Sequence, residues 1–150
     1  MIISLTGNDT ITINGQILND FADGDIGHLT FPNDLMAVKT GKNGNSLYAL
    51  NATGKQCELT LRLVRGGNDD KFFNQQLALM SNNPPGFSLM TGEFIKNIGD
   101  GAGNITQDIY SLSGGVIKKS PEMKENMEGD IEQAVTIWML IFTNAPRTIG

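Results

Sequence analysis

Between Cys57 and Met80 the chain passes once from a two-residue to a helical period, and that single switch limits its possible folds more than any other feature. Cys57, Leu59, Leu61 and Leu63 alternate with Glu58, Thr60 and Arg62, the pattern of a strand with one buried face. Gly66-Gly67 turn the corner. Phe73, Leu77 and Met80 then recur at helical spacing with Phe72 beside them, which predicts a helix over about 68–80 that plugs one side of a β-core. Pro84 and Pro85 stop it, because proline cannot continue a helix. No second helical stretch follows. The other hydrophobic runs are short and are parted by Gly, Asn and Pro, so the βαβα rhythm of a doubly wound fold is missing. The expected fold is mainly β: an antiparallel β-sandwich or barrel of about six to seven strands, with one packed α-helix and a long loop or hairpin arm over about 33–55.

Residues 1–13 place two β-rich runs about Gly7-Asn8-Asp9 and predict a hairpin. Residues 14–25 are turn-rich, and a short strand follows that Pro32 and Asn33 end. The next stretch carries Gly41, Gly44 and Gly54 with no clean period, a length of loop that in a compact domain usually serves function or contacts. Strands are expected at 87–98 and, after the turn at 99–104, at 105–119, the latter bent at Gly114-Gly115. A polar excursion over 120–130 leads to the most hydrophobic run, 131–144, whose Trp138 belongs in the core. A chain of 150 residues suits one core and is short for two, so a single domain spanning 1–150 is expected.

The corner has the outline of a phosphate-binding loop but lacks the Lys and the Ser or Thr that such a loop needs at the helix start. In their place stand Asn68, Asp69 and Asp70. Asn68 is expected to be the N-cap, and the two aspartates suit the positive end of the helix dipole while repelling a phosphate. Gly67 is the position at which a positive φ is expected. Asn19, Asp20, Asp23 and Asp25 cluster oxygens, but their spacing is not that of an EF-hand loop, and an acidic turn is the simpler reading. Gly99–Asn104 resembles half of a dinucleotide fingerprint, yet it lies between two strands and reads as a hairpin loop. His28 is the only histidine, and with Cys57 alone it cannot close a zinc site without carboxylates. Asp130 and Glu132, at the entry of a strand, read as a solvated pair of acids. No catalytic, cofactor-binding or metal-binding residue is expected, and no enzyme.

A net charge of −5 and a pI near 4.7 give no basic footprint for clamping nucleic acid. A single cysteine excludes an internal disulfide. The N-terminus lacks the basic and apolar regions of a signal peptide. The most apolar run, 134–142, is shorter than the roughly 20 residues that a membrane span needs. Sequons at Asn8, Asn51 and Asn104 are read as chance in an asparagine-rich chain.

The order of these elements, and above all the segment Cys57 to Asn74 with its "LTLRLVRGGNDDKFFN", resembles the tail tube (inner tube) protein of contractile-tailed bacteriophages and related injection machines. That resemblance implies hexameric rings whose sheets join edge to edge, stacked as the hollow inner tail tube through which DNA passes during ejection. It implies a virion tail protein assembled in the host cytoplasm, with sheath, baseplate and tail terminator proteins as partners besides itself. Glu58, Thr60 and Arg62 become candidates for a lumen or wet face, with Leu59, Leu61, Leu63, Gly66, Gly67, Asn68, Phe73, Leu77 and Trp138 as core and corner. The segment with Asp34, Lys39, Lys42, Asn45 and Tyr48 becomes a candidate inter-ring arm, mobile in the free subunit and ordered against a neighbour. The other classes weighed are a different tail assembly protein (a tail terminator or baseplate component), a small β-sandwich binding module, and an unrecognised enzyme.

Overall fold

Short strands separated by glycine-rich turns make up most of the chain. The computed structural model describes residues 1–5 and 9–150. In chain order the strands are β1 (Ser4–Leu5), β2 (Thr10–Ile13), β3 (Gln16–Ile17), β4 (Gly27–Thr30), β5 (Met36–Thr40), β6 (Ser46–Leu50) and β7 (Cys57–Val64). The helix α1 (Asn68–Asn82) follows, then β8 (Met90–Gly99), β9 (Ile105–Met123), β10 (Val135–Phe142) and β11 (Arg147–Ile149).

The fold is mainly β with one α-helix, and its sheet is antiparallel throughout the described residues. The strand order is β3-β2-β8-β9-β10-β7-β4, with β1 also on β8 and β11 also on β9, and β5-β6 form a separate pair. Among the described residues the path does not close into a barrel. β9 passes from one half of the sheet to the other at Gly114-Gly115: its first half pairs with β8 and β11, its second with β10. The two halves face each other across one core, which makes the architecture sandwich-like.

The alternation over 57–64 fixes that core. Leu59, Leu61 and Leu63 are buried, opposite Leu140, Trp138 and Thr136 of β10. From the other half come Ile11, Ile13, Met90 and Leu112. Phe73 is the helix's deepest contribution, with its ring centroid 5.6 Å from that of Trp138 and 5.3 Å from that of Phe72. Leu77 and Met80 are half-buried against the same cluster, so the helix covers the core with one residue deep and others at its margin. Truncating Leu61 to Ala therefore costs about 2–5 kcal/mol, and Leu77 to Ala less than that range.

Several sequence expectations need correction. The hairpin expected within residues 1–13 is not made: β1 pairs with Ile98 and Gly99 and β2 with Gly92 to Ile95, so the two lie end to end along the same edge of β8. Of the turn expected between them, Gly7 and Asn8 lie outside the described residues. The strand expected over 105–119 continues through Pro121 to Met123, the helix runs on to Asn82, and β11 was not expected at all. Strands as short as β1, β3 and β11 carry too few residues for a period to be visible.

Candidate functional site

Two features single themselves out: the corner between β7 and α1, and the ribbon β5-β6. At the corner the positive φ falls on Gly66 (81°), not Gly67 (−71°). Gly67 is the N-cap, with Asn68 already inside the first turn and no side-chain bond from the cap residue. Gly67 is constrained by approach, because a Cβ there would lie 3.0 Å from Asp20 Oδ2 and 3.1 Å from the Val64 carbonyl oxygen. The cap comes from outside the helix. Asp20 Oδ2 accepts the Asn68 N–H at 2.7 Å. Asp69 is 3% exposed and accepts from Gln16 Nε2 at 3.0 Å and from the N–H groups of Asn19 and Asp20 at 2.7 and 2.8 Å. Asp70 accepts from the Gly66 N–H at 2.9 Å and from Trp138 Nε1 at 2.8 Å.

Three carboxylates thus lace the acidic turn, the corner and β10 together. The Gly66 and Asn68 amides that a phosphate would need are already held by Asp70 and Asp20. Asp23, from the same acidic turn, accepts from Arg62, so these acids serve as hydrogen-bond acceptors within the fold. His28 is exposed on β4, and Cys57 is buried, its thiol pushed up to about 11 by burial.

Glu58, Thr60 and Arg62 share one face of β7. Arg62 donates to Glu132 at 2.8 Å and to the Asp23 carbonyl at 3.0 Å, and Glu58 pairs with Lys118. Glu132 raises the pKa of the Arg62 guanidinium. The register puts Ile137, Met139 and Ile141 on that same face, opposite Arg62, Thr60 and Glu58. It is therefore a mixed face, with the basic side chains of Arg62, Lys118 and His28 and the acids Glu58 and Glu132 around a half-buried apolar stripe.

The outward face of the other half differs. Thr10 and Thr12 of β2 lie opposite Ile95 and Glu93, and these in turn lie opposite Ile109 and Ser111, with Asn97 opposite Gln107 and Thr148 opposite Ile109. No Lys, Arg or His stands at these positions, and Glu93 is their one charge.

Among the described residues β5 and β6 form a ribbon joined to no other strand, and every residue of both is exposed. Cross-strand pairs put Met36, Val38, Tyr48 and Leu50 on one face, with Tyr48 70% and Leu50 60% exposed. Asp34 stands before β5, Lys39 near its end, and Lys42 and Asn45 in the turn. The base is locked. The Asn51 N–H donates to the Leu35 carbonyl at 2.8 Å, and the Asn51 side chain accepts from Thr53 N–H at 3.2 Å. Gly54 is buried where a Cβ would fall 2.5 Å from the Asp34 oxygen and the Leu35 Cα. The arm segment read from sequence as lacking a period is thus a two-stranded hairpin on a hydrogen-bonded base. Its strands show no alternation because neither face is buried.

Comparison with protein-family models gives no match to this chain, and comparison with curated proteins gives none either. No described helix is long and apolar enough to cross a membrane.

Proposed function

We propose that the chain is a structural subunit that joins edge to edge into hexameric rings stacked as the hollow inner tube of a phage tail, the conduit for DNA during ejection. The observation that carries this reading is the β5-β6 ribbon. A two-stranded ribbon on its own is marginal in water, and this one displays four large apolar side chains on one face. Covering such a face in an assembly stabilises both the ribbon and the contact. The free edge of β4 also suits this role, since Gly27-His28-Leu29-Thr30 holds no proline or permanent charge to block pairing with a neighbour.

The conduit needs a wall that does not trap phosphates. The face of Thr10, Thr12, Glu93, Asn97, Gln107, Ser111 and Thr148, hydroxyl- and amide-rich with no cation, fits that requirement better than the Glu58–Thr60–Arg62 face. In this reading the latter turns outward or onto a neighbour, and its apolar stripe of Ile137, Met139 and Ile141 favours a covered position. Sheath, baseplate and tail terminator proteins would be the partners, and the assembled virion tail the final location, reached from the host cytoplasm.

The test is to replace residues 36–50 with a short turn and follow sedimentation velocity. The intact protein should give species of six copies and stacks of them; the shortened protein should stay folded by circular dichroism yet lose the stacks. Normal tubes from the shortened protein would refute the arm's role.

A further inference from the structure

The arm and the loop before β10 lie at opposite ends of one strand pair. β7 and β10 run antiparallel in register from Cys57↔Phe142 to Val64↔Val135. Both ends of the arm attach at the Cys57 end, through β4 (Thr30 opposite Glu58) and through the residues just before Cys57. The loop over 124–134 attaches at the Val64 end. Eight residues of strand separate the two ends by roughly 25 Å, at about 3.3 Å per residue.

Their chemistry is complementary. From Leu35 to Cys57 the sequence has Lys39, Lys42 and Lys55 and no acid. From Glu122 to Glu132 it has five acids and one lysine. Within the loop region Glu125 pairs with Arg65, Asp130 with Lys124 and Glu132 with Arg62, which leaves Glu122 and Glu128 without an ion pair among the described residues. Lys39 and Lys42 likewise have none among the described residues. The loop is apolar as well as acidic: Met123 and Ile131 are exposed, and Met127 is fully so at 104%. Its shape is held by Asn126 Oδ1, which accepts from the Glu128 N–H at 2.7 Å.

We infer that the arm of one copy docks on the 122–132 loop of the next copy, its apolar face against Met123, Met127 and Ile131, with Lys42 in its turn and Lys39 on its other face at that same end lending positive charge toward Glu122 and Glu128. The inference deepens the tube reading and rests on it for the direction of growth. A self-complementary pair of surfaces at opposite ends of one subunit makes a head-to-tail contact, which repeats without closing on two copies. Long-range charge attraction would orient the encounter and weaken with added salt.

A charge exchange tests it. One variant carries Lys39→Glu and Lys42→Glu, the other Glu122→Lys and Glu128→Lys, and circular dichroism establishes that both are folded. Alone, each sets like charges against like in every arm–loop contact, so the concentration for association should rise at least about tenfold over wild type. Mixed in equal amounts, every contact between unlike variants sets an arm against a loop of opposite charge, so association through alternating copies should return toward the wild-type concentration. Association of either variant alone at the wild-type concentration, or no recovery in the mixture, overturns the inference. Wild-type tubes with unaffected variants would overturn this contact and leave the tube reading standing. Recovery that yields only closed two-copy particles would keep the contact and sink the tube reading. No association of the wild type at any concentration would sink both.

Discussion

Asp20 Oδ2 accepts the backbone N–H of Asn68 at 2.7 Å across 48 positions of chain. An N-terminal helix amide is thereby satisfied by a carboxylate from a distant turn, while the side chain of Asn68 itself does not cap. Asp20→Ala should cost about 1 kcal/mol, within the usual range for a lost cap, whereas Asn68→Ala should cost under about 0.5 kcal/mol. Urea denaturation of the two variants decides it. A larger loss for Asn68→Ala would reverse the assignment.

At the same corner the two glycines are needed for different reasons, and substitutions should separate them. Gly66→Ala places a Cβ at φ 81° and should cost about 1–2 kcal/mol, with Gly66→Asn milder because asparagine tolerates that region. Gly67→Ala meets no such barrier but crowds Asp20 Oδ2 and the Val64 carbonyl, so an Asp20→Ala background should relieve part of its effect and leave the part set by Val64. Thermal melts of the single and double variants measure the coupling. Strict additivity would show that the glycine and the aspartate act independently.

Trp138 is the only tryptophan, and its indole N–H is held by Asp70 at 2.8 Å with the ring 1% exposed. Asp70→Ala strands that donor and should cost about 1–3 kcal/mol. Trp138→Phe in the same background should recover part of the loss, because it removes the orphaned group. Equal stability of Asp70→Ala and wild type in chemical denaturation would mean that water satisfies the indole.

Arg147 donates to Asp108 through Nε at 2.7 Å and a second nitrogen at 2.8 Å, which holds that carboxyl below its ordinary 3.8. A carboxyl depressed in the folded state stabilises fully above its ordinary value and loses that contribution as pH falls through the depressed one. β11 should therefore begin to loosen from β9 as pH falls below about 4, and come free as it passes through the lowered value. Hydrogen exchange at Gly150, whose N–H donates to Gln107 at 3.1 Å, reports this directly. Arg147→Gln should expose that amide already at neutral pH; unchanged protection in the variant would assign the strand's hold elsewhere.

What the sequence disclosed followed from burial. The alternation of Leu59, Leu61 and Leu63 and the spacing of Phe73 placed strand, corner and helix, because each faces one core. The roles of Asp20, Asp69 and Asp70 were illegible, since Asp20 and Asp69 join residues roughly 50 positions apart and Asp70 reaches still farther, to Trp138, and a local reading sees only acids in turns. The arm's hairpin and the loop at 122–132 left no periodic mark for the opposite reason: neither buries a face within the subunit. Their complementary charge was present in the sequence but had no meaning until the register of β7 on β10 set them at opposite ends.

Electron microscopy of the concentrated protein tests the central claim most directly. The account predicts six-fold rings stacked into hollow tubes, with the β5-β6 arm of one subunit resting on the 122–132 loop of another. A field of small separate particles, without rings or tubes at any concentration reached and with the arm intact, would contradict it.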